Sequence, residues 1–147
     1  MTHGHPFGEG LRAAGPQVLV VDGMGFTGYF AGPVPHLLDP MGLTDPLLAR
    51  LPIWRDGDFL APQKPPPGMA IPWRIGHFVR PIPAGYEATL ASGVNEIASP
   101  ALAECWDTLA LITRAPLFAP GRWRAILGAN LGSCDRLIER HLAGEAP

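Results

Sequence analysis

The sequence has little charge and almost no lysine. Charged residues make up 16% of its 147 residues, hydrophobic residues make up 47%, and Lys64 is the single lysine. The formal net charge is -2, which gives no reason to expect nucleic acid as a ligand, since nucleic acid requires a basic face. Disordered chains combine high net charge with low hydrophobicity, and this sequence has neither property. We therefore expect a folded protein that does not bind nucleic acid.

Cysteine is also scarce, with only Cys105 and Cys134, each inside a helical pattern. Zinc sites use closely spaced ligand pairs, so this distribution argues against a metal centre. The terminal pair His3 and His5 is expected to lack the thiol and carboxylate partners that would complete a metal site. We expect two buried free thiols, with a disulfide between packed helices as the alternative, and neither a metal nor a cofactor.

No segment has the composition of a membrane-spanning helix. The longest uncharged stretch, residues 23–38, is interrupted by Gly32, Pro33 and Pro35. The N-terminal residues lack a basic region followed by an apolar run, so they do not form a signal peptide. Taken alone, the chain is expected to be soluble and untargeted.

Glycine and proline, by contrast, are abundant, at 18 residues each, and they divide the first half of the chain into short elements. A β-branched apolar run predicts a buried strand over residues 17–22, and a second, shorter strand follows over residues 35–39. Residues 23–32 between them are predicted to form a glycine-rich turn around Phe26, Tyr29 and Phe30, with at most one turn of helix. Asp45 then caps a short helix that ends at Pro52.

The second half begins with a long loop and ends in helices. Residues 52–85 contain much proline and little periodicity, as expected of a loop. Ser99 followed by Pro100 starts the clearest helix. Its apolar stripe consists of Leu102, Cys105, Trp106, Leu109 and Ile112. A last helix from about Gly121 has a similar stripe. That stripe consists of Trp123, Ile126, Leu127, Leu131, Cys134, Leu137 and Ile138.

These elements predict one α/β domain over residues 1–147. Its sheet is expected to be small and largely parallel, with two to four strands, and helices should outnumber strands.

A glycine motif lies directly after the first strand. Gly23-Met-Gly-Phe-Thr-Gly28 has the spacing of a dinucleotide-binding loop, and Asp39 would take the place of the ribose-binding acid. However, only about five residues remain between Gly28 and the second strand, fewer than a crossover helix needs. The spacing of the glycines nevertheless leaves a small cytosolic nucleotide-binding protein or enzyme as one alternative function.

Two segments place charged side chains among prolines and glycines, which restrict the backbone. These segments are Asp39–Pro52 and Trp73–Tyr86. Buried cations need anionic partners, so we expect their polar side chains to converge at one edge of the sheet. The expected cluster consists of Asp39, Asp45, Arg50, Arg74, His77 and Arg80.

The cluster has three interpretations. It can be a hydrogen-bond network that holds the long loop, a sugar or phosphate site that uses planar arginine groups, or an acid–base site built on His77. No serine or cysteine lies in a recognisable nucleophile motif.

Aromatic residues divide by context. Trp106 and Trp123 lie on helical stripes and are predicted to be core residues. The candidates for a ligand-facing position are Tyr29, Trp54, Trp73 and Tyr86.

The two charged segments, together with four shorter ones, resemble the C-terminal soluble region of a family of polytopic bacterial membrane proteins. The shorter segments are His5–Phe7, Gly28–Pro33, Thr113–Leu117 and Asn130–Gly132. That family is similar to the mycobacterial terminal arabinofuranosyltransferases, which are membrane glycosyltransferases of the C-type fold. The resemblance extends from His5 to about Ile138.

The resemblance implies a domain on the outer face of the inner membrane. It would cap a transmembrane catalytic domain, of the same or a partner protein, that uses a polyprenyl-phosphate sugar donor. The catalytic acid of such enzymes lies in the transmembrane part, so no catalytic residue is expected in this chain, which would be a truncated product, an excised domain or a detached partner. The expected role is an accessory or acceptor-binding domain for cell-envelope glycans, with a structural interaction module as a further alternative.

Overall fold

The computed structural model describes residues 4–21, 24–53 and 78–144. The chain forms two compact units, Met1–Ile82 and Pro83–Pro147, and the single domain over residues 1–147 stays a prediction. The elements are α1 (Gly4–Ala14), β1 (Val18–Val20), α2 (Met24–Ala31), β2 (His36–Leu38), a 3₁₀ helix (Leu48–Arg50), α3 (Tyr86–Ser92), α4 (Pro100–Thr113), α5 (Arg122–Asn130) and α6 (Ser133–Leu142). Within the described ranges, no helix is both long enough and apolar enough to cross a bilayer.

The first unit is a β-α-β arrangement with one additional helix. Strands β1 and β2 are parallel, with Val18 opposite His36 and Val20 opposite Leu38. Helix α2 connects them and α1 packs against α2. The predicted fold class is confirmed: the described residues form a small parallel sheet of two strands, and helices outnumber strands.

The connection between the strands differs from the predicted one. The glycine-rich segment predicted as a turn contains the two-turn helix α2, which begins at Met24 rather than after Gly28. A crossover helix therefore fits between the strands, and the length objection to it is wrong. Because α2 is apolar on every side, it has no amphipathic period, and its glycines lower its helix propensity, so local signals did not indicate it. Helix α1 was likewise not predicted from the sequence.

The predicted loop over residues 52–85 is described only at its two ends. Residues 51–53 and 78–83 contain neither helix nor strand, and a turn at residues 84–85 leads into α3. Residues 54–77 lie outside the described part of the chain.

In the second unit, α4 packs against α5 and α6. The predicted start of α4 is confirmed: the Ser99 hydroxyl accepts a hydrogen bond from the Leu102 backbone N–H at 3.4 Å, and Pro100 occupies the first turn. Four residues of the predicted stripe form the buried side of this helix. They are Leu102, Cys105, Trp106 and Leu109, all buried.

The predicted last helix is two helices, α5 and α6, separated by a turn at Leu131 and Gly132. The α6 part of the stripe is buried as predicted, at Cys134, Leu137 and Ile138. The α5 part of the stripe is not buried, and the prediction of Trp123 as a core residue is wrong. The turn between α5 and α6 separates the two parts of the stripe, so they do not form one continuous apolar face. No residue of α5 is buried.

The two cysteines form a disulfide that joins α4 to α6. Their Cα atoms are 5.0 Å apart, within the range that a disulfide requires, and both residues are fully buried. The prediction of two free thiols is wrong, and the alternative of a bridge between packed helices is confirmed. The pairing depends on which face α6 turns toward α4, and sequence spacing does not contain that information.

Candidate functional site

The first of the predicted site residues, Asp39, directly follows β2 and is 2% exposed. Its Oδ1 accepts a hydrogen bond from the Met41 N–H at 2.9 Å, and its Oδ2 accepts one from the Leu43 N–H, also at 2.9 Å. Aspartate side chains commonly close turns in this way. Both carboxylate oxygens therefore hold the chain where it leaves the sheet.

Gly42 lies inside this turn and packs directly on the 3₁₀ helix. Its φ is +70°, and a Cβ built at this position would lie 2.9 Å from both the Ala49 nitrogen and the Leu48 carbonyl carbon. Only glycine combines this backbone angle with so close an approach. The turn that follows Asp39 and the next helix thus form one packed loop, residues 39–51.

Asp45 caps the helical turn over residues 45–49 that leads into the 3₁₀ helix, at the position that the sequence predicted. It is buried, and its Oδ1 accepts hydrogen bonds from the N–H groups of Leu47 at 3.0 Å and Leu48 at 2.7 Å. These are the bonds of a helix N-cap. Leu47, Leu48 and Leu51 are buried below it, so the predicted apolar face of this helix is also confirmed.

Arg80 holds the same loop from outside. Its backbone N–H donates to the Pro40 carbonyl at 2.8 Å. Its guanidinium donates from Nε to the Leu51 carbonyl at 3.2 Å and from Nη1 to the carbonyls of Phe78, at 3.1 Å, and Met41. Arg80 thus joins both ends of the loop through carbonyl oxygens.

The predicted cluster pairs its cations with its carboxylates, but the described residues Arg80 and Asp39 do not form an ion pair. Backbone N–H groups already occupy both Asp39 oxygens, and backbone carbonyls supply partial negative charge to the guanidinium instead.

Four of the six predicted cluster residues therefore lie in or on residues 39–51. They are Asp39, Asp45, Arg50 and Arg80. Arg50 is exposed, and its Nη1 donates to the Pro46 carbonyl at 3.0 Å within its own turn. Arg74 and His77 lie outside the described residues, as do Trp54 and Trp73, so their convergence on this loop stays a prediction. The described hydrogen bonds go to backbone groups, which favours the interpretation as a structural network.

The two tyrosines have opposite environments. Tyr29, on α2, is 77% exposed. Tyr86 is fully buried in the second unit, where its ring packs edge-on against Trp106 with the ring centroids 5.0 Å apart. Tyr86 is therefore a core residue and does not have the ligand-facing position that was predicted for it.

Beside Tyr29 lies an open groove of about 410 Å³, lined by Gly25, Phe26, Tyr29 and Phe30. The groove surface consists almost entirely of carbon atoms. Phe26 is 74% exposed, and the His5 ring packs edge-on against Phe30 with the ring centroids 4.0 Å apart. This surface was not predicted from the sequence. The sequence feature that could have indicated it is an uncharged apolar segment next to a predicted sheet that is too small to cover it.

We expect replacement of Asp39 by Ala to destabilise the first unit by about 2–3 kcal/mol, because the N–H groups of Met41 and Leu43 lose their acceptor. Urea unfolding of the full chain measures this. The control is Glu9→Ala, which removes an exposed carboxylate paired with His5 at 3.1 Å and should cost less than about 1 kcal/mol. Equal stabilities of the two variants would show that Asp39 does not hold the loop.

Among the described residues, no group of three His, Cys, Asp or Glu side chains could hold a metal ion. Comparison of the chain with protein-family models, with curated proteins and with solved structures finds no match.

Proposed function

We propose that this chain is an accessory domain of a membrane glycosyltransferase, placed on the outer face of the membrane. The enzyme would act on cell-envelope glycans with a polyprenyl-phosphate sugar donor, and the chain would not be catalytic by itself. The resemblance of the segments Asp39–Pro52 and Trp73–Tyr86 to the soluble region of such enzymes suggests this role.

The disulfide between Cys105 and Cys134 is the observation that carries the proposal. Structural disulfides persist in oxidising compartments such as the periplasm and are rare in the cytosol, where thiols are kept reduced. A buried bridge between two helices therefore supports an extracytoplasmic location. It also opposes the alternative of a small cytosolic nucleotide-binding protein.

The carboxylates of the candidate site support a non-catalytic role. A general acid or base must reach the substrate with a carboxylate oxygen. Asp39 uses both oxygens, and Asp45 uses Oδ1 twice, to bind backbone N–H groups, and both residues are buried. Their contribution is to hold residues 39–51.

The α2 groove favours docking over acceptor binding. Sugar hydroxyl groups need hydrogen-bond partners, and the groove presents almost only carbon. Residues 23–38 contain no Asp, Glu, Lys or Arg. An apolar surface of this kind suits the apolar surface of a transmembrane catalytic domain, which we propose as its occupant.

Co-purification in detergent tests the docking. The full chain is expressed together with the transmembrane part of a polytopic glycosyltransferase of the suspected family, and we expect the two to purify as a complex. Phe26→Asp should reduce the recovered complex at least tenfold, because it places a charge in the apolar groove. Leu43→Asp, at an exposed leucine elsewhere in the first unit, is the control and should leave recovery unchanged. Full recovery with Phe26→Asp would contradict docking through α2.

The nucleotide-binding alternative keeps one supporting observation, the β1-α2-β2 crossover, whose helix begins at Met24 within the glycine motif. Thermal-shift measurements with NAD, ATP and arabinan fragments separate the functions. We expect NAD and ATP to leave the melting temperature of the full chain unchanged. A rise of several degrees with either nucleotide, as a ligand well above its Kd produces, would favour the alternative.

A further inference from the structure

Residues 117–131 of the second unit expose an unusual amount of apolar surface. This segment includes α5 and the turn before it. Five of its large apolar side chains are exposed, with Phe118 at 84% and Trp123 at 70%. The five are Leu117, Phe118, Trp123, Leu127 and Leu131.

Three of these side chains share one face of α5 and its C-terminal end. Trp123, Leu127 and Leu131 follow each other at intervals of four residues, so they lie along one side of the helix. Leu117 and Phe118 precede the helix in the turn over residues 116–122. An apolar helical stripe normally faces a core, and this one faces outward.

The charged residues of the segment and of the turn before it are arginines, and the nearest acids along the chain are Asp107 and Asp135. Residues 108–134 contain Arg114, Arg122 and Arg124 and no acidic residue. The Arg122 guanidinium donates to the carbonyls of Ile112 at 2.8 Å and Ala115 at 3.0 Å, and so ties the turn to the end of α4. Arg114 and Arg124 are exposed and can meet anions.

We propose that residues 117–131 bind the surface of an anionic lipid bilayer. Helices that lie in the membrane interface combine Trp, Phe and Leu on one face with arginine or lysine on another, and Trp is enriched at the level of the lipid headgroups. A second copy of this chain is a poorer occupant, since pairing two such segments would bring the exposed arginines of both copies together. The lipid phosphates supply the missing negative charge.

The inference uses the second unit alone and does not depend on the glycosyltransferase proposal. The two proposals have separate tests. The chain can bind vesicles through residues 117–131 and fail to co-purify through Phe26, or co-purify and fail to bind vesicles. If both hold, each unit contributes its own membrane-directed surface.

Vesicle co-sedimentation of the full chain tests the proposal. The probe is vesicles of equal parts phosphatidylglycerol and phosphatidylcholine at low salt, compared with vesicles of phosphatidylcholine alone. We expect binding to the anionic vesicles that weakens as salt is added. Leu127→Ala should lower the partition coefficient about tenfold, and Arg124→Gln should lower it about fivefold on anionic vesicles only.

Leu142→Ala is the matched control, because Leu142 is also an exposed leucine of the second unit, at 58%, but lies in α6. It should change the partition coefficient less than twofold. Circular dichroism checks that all variants are folded. Failure of the unchanged chain to bind the anionic vesicles would overturn the proposal, as would equal effects of Leu127→Ala and Leu142→Ala. Concentration-dependent self-association that Leu127→Ala abolishes, without vesicle binding, would assign the stripe to a second copy instead.

Discussion

Replacement of Gly85 by Ala is expected to destabilise the second unit by about 2–5 kcal/mol, the sum of a left-handed backbone strain and an overpacked contact. Gly85 precedes α3 with φ at +82°. A Cβ there would fall on the Glu96 carbonyl oxygen and lie 2.7 Å from its carbon. The Glu96 backbone cannot easily move away, because its N–H donates to the Thr89 hydroxyl at 2.8 Å.

Gly93→Ala separates the two contributions. Gly93 ends the same helix with φ at +75°, but a Cβ at this position meets no atom within 4 Å. It should therefore cost only the backbone strain, about 1–2 kcal/mol. Urea unfolding of the full chain, followed by circular dichroism, compares the two variants. If both lose the same stability, the close approach of Gly85 to Glu96 is not part of the folded structure.

Loss of the disulfide is expected to lower the free energy of unfolding by about 3–4 kcal/mol in the loop-entropy estimate. The bridged residues are 29 positions apart, and cross-linking them restricts the unfolded chain. The double variant Cys105→Ser, Cys134→Ser, unfolded with guanidinium chloride, measures the effect.

Reductant provides the control for that measurement. Dithiothreitol should destabilise the unchanged chain by a similar amount and leave the double variant unaffected. A thiol reagent added to the unreduced, unfolded chain should label no cysteine. Labelling of both would mean that the thiols are unpaired, and would also remove the main support for an extracytoplasmic location.

The parts of the fold that could be predicted from sequence are those with local causes. The β-branched run around Val18–Val20 forms the predicted strand, and both strands were placed to within two residues at each end. The predicted burial of β1 is wrong, because Val18 and Leu19 are only half-buried and Val20 is 37% exposed. Asp45 accepts N–H groups two and three residues ahead of it, and Ser99 with Pro100 starts α4. Each of these interactions closes within a few residues, so the sequence contains both partners.

The candidate site was predictable only in part. Asp39 was correctly placed at the end of a strand, but its partners are its own neighbouring N–H groups rather than a distant cation. Arg80 binds backbone carbonyls, which every residue type carries, so no pattern of side chains could reveal which ones it binds.

The sequence by itself determined the class of fold, the positions of the two strands, the start of α4 and the apolar character of the helices. Only the tertiary structure decided which apolar faces are covered. Trp106 and Trp123 lie on stripes of the same kind, yet Trp106 packs against Tyr86 and Trp123 faces outward. The pairing of Cys105 with Cys134 has the same origin. Burial and pairing depend on how separate helices are placed around one core, and that placement is a property of the whole chain rather than of any one segment.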